Sequence, residues 1–331
     1  MKPATAFFCA VLGAAAITGA LYLRPPGQVS VTGQGELVFP GLAEQLPDAT
    51  RVSIIGASGS VLMVRQTDHW SIADRDFYPA QTPKLRQLFA GLADLRLREP
   101  RTADPALFAR LGVDDPTTKD STAILVKVEN TDGNVLAQVI LGHRSLRSQG
   151  GLPESVYIRR PGEEQSWLAE GKLAADADPQ AWLPRDIISI AHDKIAHVVA
   201  TRGASRVELA GAGGKFTLVA PPPGKIDDVR VDETGQALEN LTLADVKKGE
   251  LPGTTEGQAV FTTTDGLAIT VTVAKDGNAI WASFAATGPG ADAYKDLAGW
   301  AFQLPEWREA SLLPALADIV IAPPAKSSGT K

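Results

Sequence analysis

At 331 residues and 44% hydrophobic content the chain is long enough to bury two cores, and ~100 to 200 residues per domain makes two domains the expectation. Its formal charge is −6, and more negative beyond residue 25 because Lys2 and Arg24 are the only ionic side chains before it; nucleic acid instead rewards clustered Lys and Arg. The single cysteine, Cys9, lies in an apolar segment, which excludes a disulfide framework and a thiolate metal site.

Residues 4–23 carry no charged side chain, and Lys2 with the terminal amine precedes them. As a helix, a run of about 20 residues spans ~30 Å of hydrocarbon. Residues 1–24 therefore read as a single-pass inner-membrane anchor, with Phe7, Leu12, Ile17 and Leu21 as its anchor residues. A cleaved signal peptide is the alternative: Thr18-Gly19-Ala20 fits a cleavage site, but Leu21-Tyr22-Leu23 continues the apolar run past it. Either way the body is exported to the periplasm, since the positive-inside preference keeps Lys2 and the amine cytoplasmic. Residues 25–36, with Pro25-Pro26-Gly27 and Gly33-Gln34-Gly35, read as a tether.

Residues 37–186 read as a first α+β unit. Val52, Ile54, Val61 and Met63 suit two strands joined by a turn at residues 56–60, with a short third strand at Trp70. A helix is predicted over residues 82–95, with Thr82 as N-cap, Pro83 in the first turn, and Leu85, Leu88, Phe89, Leu92 and Leu95 on one face. Asp104-Pro105 starts a short helix that Gly112 ends. Asp132-Gly133 is a hairpin signal between strands at residues 123–128 and 135–141, and strands near residues 156–159 and 166–169 complete the sheet.

Ile187, Ile188 and Ile190 open a new pattern after Pro184, so residues 187–322 form the second unit. Its strands at 197–200 and 207–210 flank Gly203-Ala204-Ser205, Phe216 stands where Trp70 stands, and a helix is predicted over residues 234–247, with Leu241 equivalent to Leu88. A meander follows, with turns at Asp265-Gly266 and Asp276-Gly277 and strict alternation of Ile269, Val271 and Val273 with Thr270 and Thr272. Residues 323–331 have the composition of a disordered tail. The recurring strand–turn–strand–helix order predicts two tandem repeats, each a mainly antiparallel sheet with one principal helix packed on a face.

Phe39-Pro40-Gly41-Leu42, the Trp70 strand, Phe77-Tyr78-Pro79-Ala80, Glu99-Pro100, Arg110-Leu111-Gly112-Val113 and residues 182–190 carry a resemblance. In these the chain resembles the bacterial domain-of-unknown-function family often encoded beside gliding-motility-type ABC transporter components. The resemblance implies a membrane-anchored extracytoplasmic protein, an auxiliary of an ABC-2-type exporter, and it brings no catalytic residues. The second unit lacks a Tyr-Pro-Ala equivalent before its helix.

The motifs that could carry chemistry all have plainer readings. Gly56-Ala57-Ser58-Gly59-Ser60 lacks the spacing of a nucleophile elbow, and its recurrence at Gly203 favours a turn. Residues 211–215 evoke a phosphate loop, but Phe216 replaces the needed Ser or Thr. His192 and His197 lack a third metal ligand, and Asp114-Asp115 and Asp227-Asp228 suit backbone capping. No cofactor motif is present. The expectation is a non-enzymatic binding or scaffold protein whose partners are inner-membrane or envelope proteins, ABC transporter components among them, and not nucleic acid. The alternative is a glycan- or lipid-binding module using the cleft between the units, with a hydrolase in third place. Trp281, Trp300 and Trp307 are the candidate binding aromatics, at least two of them expected in the core.

Overall fold

The computed structural model describes residues 35–145, 154–221 and 226–321. The expected membrane span with Phe7, Leu12, Ile17 and Leu21, the tether up to residue 34 and the tail at 323–331 lie outside the described residues. Among the described residues no helix is long and apolar enough to cross a membrane.

The architecture is mainly antiparallel sheet with a few helices. Its first part runs through β1 (Ala49–Gly56), β2 (Gly59–Arg65), β3 (Trp70–Ile72), β4 (Tyr78–Pro79), helix α1 (Thr82–Ala93), β5 (Arg96–Pro100), β6 (Ile124–Asn130), β7 (Val135–Ser145), β8 (Ser155–Arg159) and β9 (Ser166–Glu170). These strands form one nine-stranded sheet in the order β4-β3-β2-β1-β6-β7-β8-β9-β5. The register follows the apolar alternation: Val52 faces Met63 and Val128, and Ile54 faces Val61 and Val126, all of them buried.

The second part runs through β10 (Asp186–Ile188), β11 (Ile195–Arg202), β12 (Ser205–Ala212), β13 (Lys215–Ala220), α2 (Asp228–Gly235), β14 (Leu241–Thr242), β15 (Asp245–Lys248), β16 (Thr254–Thr263), β17 (Ala268–Asp276), β18 (Ala279–Thr287) and β19 (Trp300–Leu304). Eight of these form a sheet in the order β13-β12-β11-β16-β17-β18-β19-β15, while β10 and β14 make a small ribbon. With β4 set aside, the two orders correspond strand for strand. The expected alternation on β17 is present, with Ile269, Val271 and Val273 buried.

Several expectations need correction. Gln81, not Thr82, is the N-cap of α1, and its side chain makes no capping bond. The second helix is not at residues 234–247 but eight residues long at Asp228–Gly235, where the Asp227 carboxylate accepts the N–H groups of Val229 and Arg230. Leu241 accordingly lies in β14 and is not the counterpart of Leu88; a helix through it is interrupted by Asn240 at φ 49°. The strands β5 and β15, which close the far ends of their sheets, were not expected, because five residues of Arg-Leu-Arg-Glu-Pro and four of Asp-Val-Lys-Lys carry little apolar signal. Gly35 and Glu36, expected in the tether, are bonded to Leu97 of β5.

The two sheets do not have separate cores. One continuous cluster runs from Val38 and Leu42 through Leu85, Leu88 and Leu92 of α1 to Trp182, Phe261, Phe302 and Ile319. Each fully buried large side chain contributes on the order of 1.5–3 kcal/mol by leaving water, so a shared cluster couples the halves strongly. Phe108, Val113, Ala123 and Ile140 form a small satellite core.

Candidate functional site

The seam between the sheets is built by the residues that follow β3. A 3-10 turn at Ala73–Arg75 aims the Arg75 guanidinium at Asp245 on β15: Nε lies 2.5 Å from Oδ1 and Nη2 lies 3.0 Å from Oδ2. Such a forked pair is charge-assisted and fixes orientation as well as distance. Gln180 adds a third donor to Asp245 Oδ2 at 3.2 Å. Asp76 and Phe77 then adopt consecutive left-handed conformations, at φ 52° and 62°. Aspartate tolerates this region, whereas a bulky phenylalanine there is an outlier that surrounding contacts must hold in place. Those contacts are the Phe77 N–H bond to the Ile72 carbonyl at 3.0 Å and the Asp76 carboxylate, which accepts the Lys248 N–H at 3.1 Å.

The consequence is an aromatic corner. Phe77 is left 55% exposed while its neighbour Tyr78 is buried, packed edge-on against Trp300 at 4.8 Å and Phe302 at 6.2 Å. Burial pushes the Tyr78 hydroxyl above its ordinary pKa. Lys248 lies over the Trp300 ring at 5.8 Å. Around this corner opens a groove of about 610 Å³, lined by Asp68, His69, Asp76, Phe77, Lys248 and Trp300. Asp68 and His69 are joined at 2.6 Å, and the His69 hydrogen bond holds the Asp68 carboxyl below its usual range. Behind the same loop lies a smaller pocket of about 220 Å³, where Trp70 meets Phe89 of α1 at 5.6 Å. The groove thus offers two aromatic surfaces, a cation and carboxylates in one concavity, which suits recognition of a partly apolar partner.

The three candidate tryptophans are not brought together. Trp300 sits in the groove. Trp281 lies on β18 opposite Ala274 and Gln303, half-buried, with its indole N–H lacking a hydrogen-bond partner. Trp307 is 67% exposed and lines a different pocket, of about 500 Å³, with Arg308. The expectation that at least two of them are core is met only in part: Trp300 packs, partly buried, against the main core, none of the three is fully buried, and the fully buried indole is Trp182, whose Nε1 donates to the Asp176 carbonyl at 2.8 Å.

The other motifs resolve into backbone work. Gly56 and Gly59 close the β1–β2 hairpin, Gly213 and Gly214 close β12–β13, and no helix follows either turn. His192 pairs with Glu239 at 2.7 Å and His197 with Glu208 at 2.9 Å, and among the described residues no group of three or more His, Cys, Asp and Glu is placed to hold a metal. Asp115 caps Thr117 and Asp227 caps α2. Sequence reasoning missed Arg75, Asp245 and Lys248, which have no local signal because the bonds that join the two sheets there, Arg75 to Asp245 and Lys248 to Asp76, span 170 and 172 residues. Phe77 and Tyr78 were singled out only as family signatures.

A family model described as a domain of unknown function, DUF4340, matches residues 70–259. The chain belongs to the DUF4340 family. The match begins at Trp70 on β3 and ends at Ala259 on β16, so it spans parts of both sheets. Within it fall Asp76, Phe77, Tyr78, Asp245 and Lys248, the corner and its lock, while Trp300 and Trp307 lie beyond it. No curated protein matches this DUF4340 chain, and no solved structure does.

Proposed function

We propose that this DUF4340 protein is a non-catalytic binding protein, held at the outer face of the inner membrane by residues 1–24, whose body docks and positions a partner protein of an ABC-2-type transport system. The observation that carries the reading is Phe77: a large aromatic kept exposed in a strained backbone conformation, beside Trp300 and Lys248, by contacts from both sheets. Strain of this kind costs of order 1–3 kcal/mol and is retained where a site uses it. Exposed aromatics on a rigid frame are the residues that anchor protein interfaces. The membrane address rests on the apolar run at residues 4–23, and the transporter partner on the family resemblance in residues 39–42, 77–80 and 182–190.

We also infer that the two sheets are tandem copies of one unit; the strand-for-strand correspondence of their orders supports this. On that reading the first copy acquired β4, and with it the Phe77 corner, which the second copy lacks. A second reading uses the same groove for an envelope glycan or lipid, and is favoured by the concavity of about 610 Å³ with mixed polar and aromatic walls.

The test is capture from membranes. Full-length protein, gently solubilised and purified by an affinity tag, is expected to fractionate with membranes, to keep its N-terminus intact and to retain transporter components. Phe77→Ser with Lys248→Glu should abolish that capture while thermal stability stays within about 1 kcal/mol of wild type. Retention of the same components by the double variant would refute the docking role. A chain starting near residue 21 in the soluble fraction would refute the anchor.

A further inference from the structure

The pocket beside Trp307 is lined by residues separate from those of the seam groove. It lies between α2, the segment after it, and the helix at Arg308–Leu312, and has a volume of about 500 Å³. Two arginines line it, Arg230, which pairs with Glu233, and Arg308. The Arg308 guanidinium lies over the Trp307 ring at 4.3 Å, and Nη2 donates to the carbonyls of Asn240 at 3.2 Å and Glu239 at 3.5 Å. Nε is buried without a hydrogen-bond partner. Among the described residues no carboxylate lies within ion-pair distance of Arg308, although two acidic residues line the same pocket. Both are already engaged, Glu239 with His192 at 2.7 Å and Glu233 with Arg230 at 2.8 Å. Desolvation lowers the pKa of Arg308, with no compensating anion.

A half-buried guanidinium without a counter-ion is an uncompensated cost, and a carboxylate is a group whose charge offsets it. The neighbouring Glu233 and Glu239 favour one negative charge over two, since a dianion would be repelled more strongly. Trp307, 67% exposed, offers an aromatic surface beside that charge. The amides of Gln236 and Asn240 on the pocket wall supply donors of the kind that orient hydroxyl groups. We propose that this pocket binds a carboxylated sugar, its carboxylate on Arg308, its ring against Trp307 and its hydroxyls toward Gln236 and Asn240.

The experiment is calorimetric titration of the full-length protein, in a detergent without a sugar headgroup, with glucuronate, glucose, acetate and inorganic phosphate. Glucuronate is expected to bind saturably and at least about tenfold more tightly than the other three, because only it engages both halves of the site. Trp307→Ala should weaken glucuronate binding about tenfold, and Arg308→Lys should do so as well because a flexible ammonium cannot keep the bonds to the Asn240 and Glu239 carbonyls that hold the charge beside Trp307. Phe77→Ser, in the other groove, should leave it unchanged. Trp307 is a surface residue, so Trp307→Ala decides the matter even if Arg308→Lys impairs folding, which thermal denaturation reports. Absence of saturable glucuronate binding, acetate or phosphate binding as tightly, or full glucuronate affinity in Trp307→Ala would each overturn the proposal.

Discussion

Phe77 shows how much a single residue's conformation can say. At φ 62° and 55% exposed it gains little from burial and is disfavoured by its backbone, so its presence there is not a packing solution. Asparagine tolerates the left-handed region far better. Phe77→Asn should therefore stabilise the fold by of order 1 kcal/mol in chemical denaturation while weakening partner capture. A loss of stability would show that the phenyl ring is structural after all. Asp115 gives a pH expectation. The Thr117 N–H and hydroxyl hold its carboxyl below the ordinary aspartate value of 3.8. A depressed folded-state pKa contributes stability that is fully present above the unfolded value and is lost as pH falls through the lower folded one. Stability should thus decline with acidification below about 3.8, and Asp115→Asn should flatten that decline relative to wild type. An unchanged acid slope in the variant would count against the capping role.

At the level of elements, the helices and strands owe their positions to a few close approaches. A Cβ added at Gly91 of α1 would stand 2.5 Å from the Lys172 carbonyl oxygen, a backbone atom that cannot swing aside. Gly91→Ala improves helix propensity by up to about 1 kcal/mol, but the clash should outweigh it, giving a net loss of about 1–3 kcal/mol in denaturation. A neutral or stabilising result would mean that α1 does not sit this close to the segment at Lys172. Gly235, at the end of α2, meets the Phe216 ring in the same way, with a built Cβ only 2.0 Å from it. Phe216 also donates its N–H to Asp232 at 3.3 Å, so α2 is pinned against the edge strand β13. In the first sheet the corresponding strand, β3, pairs with β4 instead, which makes the edge a strand of 2 residues. One edge is thus blunted by a strand and the other by a helix, two ways of limiting uncontrolled strand pairing.

For the whole molecule, the seam decides behaviour. With one apolar cluster running through both sheets and Arg75 forked onto Asp245, the described body should unfold as a single cooperative unit. Asp245→Asn removes the charge of that pair while nearly keeping its shape. Because both side chains are about a fifth exposed, the expected loss is roughly 1–3 kcal/mol, below that of a fully buried pair. Calorimetry should show one transition in wild type, shifted down in the variant. Two resolved transitions in wild type would show that the sheets are thermodynamically separate.

The sequence by itself determined the local structure. The Asp132-Gly133 hairpin, the alternation of Ile269, Val271 and Val273, the leucines of α1, and Gly112 ending the short helix at Phe108–Leu111 are all set by contacts a few residues apart, so their periodicities are visible in the chain. It also carried the family signatures that include Phe77 and Tyr78, though not their use. The helix expected over residues 234–247 is absent because Leu238, Leu241 and Val246 also fit a helical spacing, yet Leu238 lies in a turn, Leu241 and Val246 enter short strands, and Asn240 breaks the run only through its backbone angle. Tertiary structure alone decided the seam. Arg75 meets Asp245 across 170 residues, Tyr78 meets Trp300, and β5 and β15 become strands because a neighbouring strand accepts their backbone bonds. Likewise Arg308 is without a counter-ion only because folding commits Glu239 to His192 and Glu233 to Arg230. Long-range pairing leaves no period in a sequence, since each partner's position is set by the path of the whole chain rather than by its neighbours.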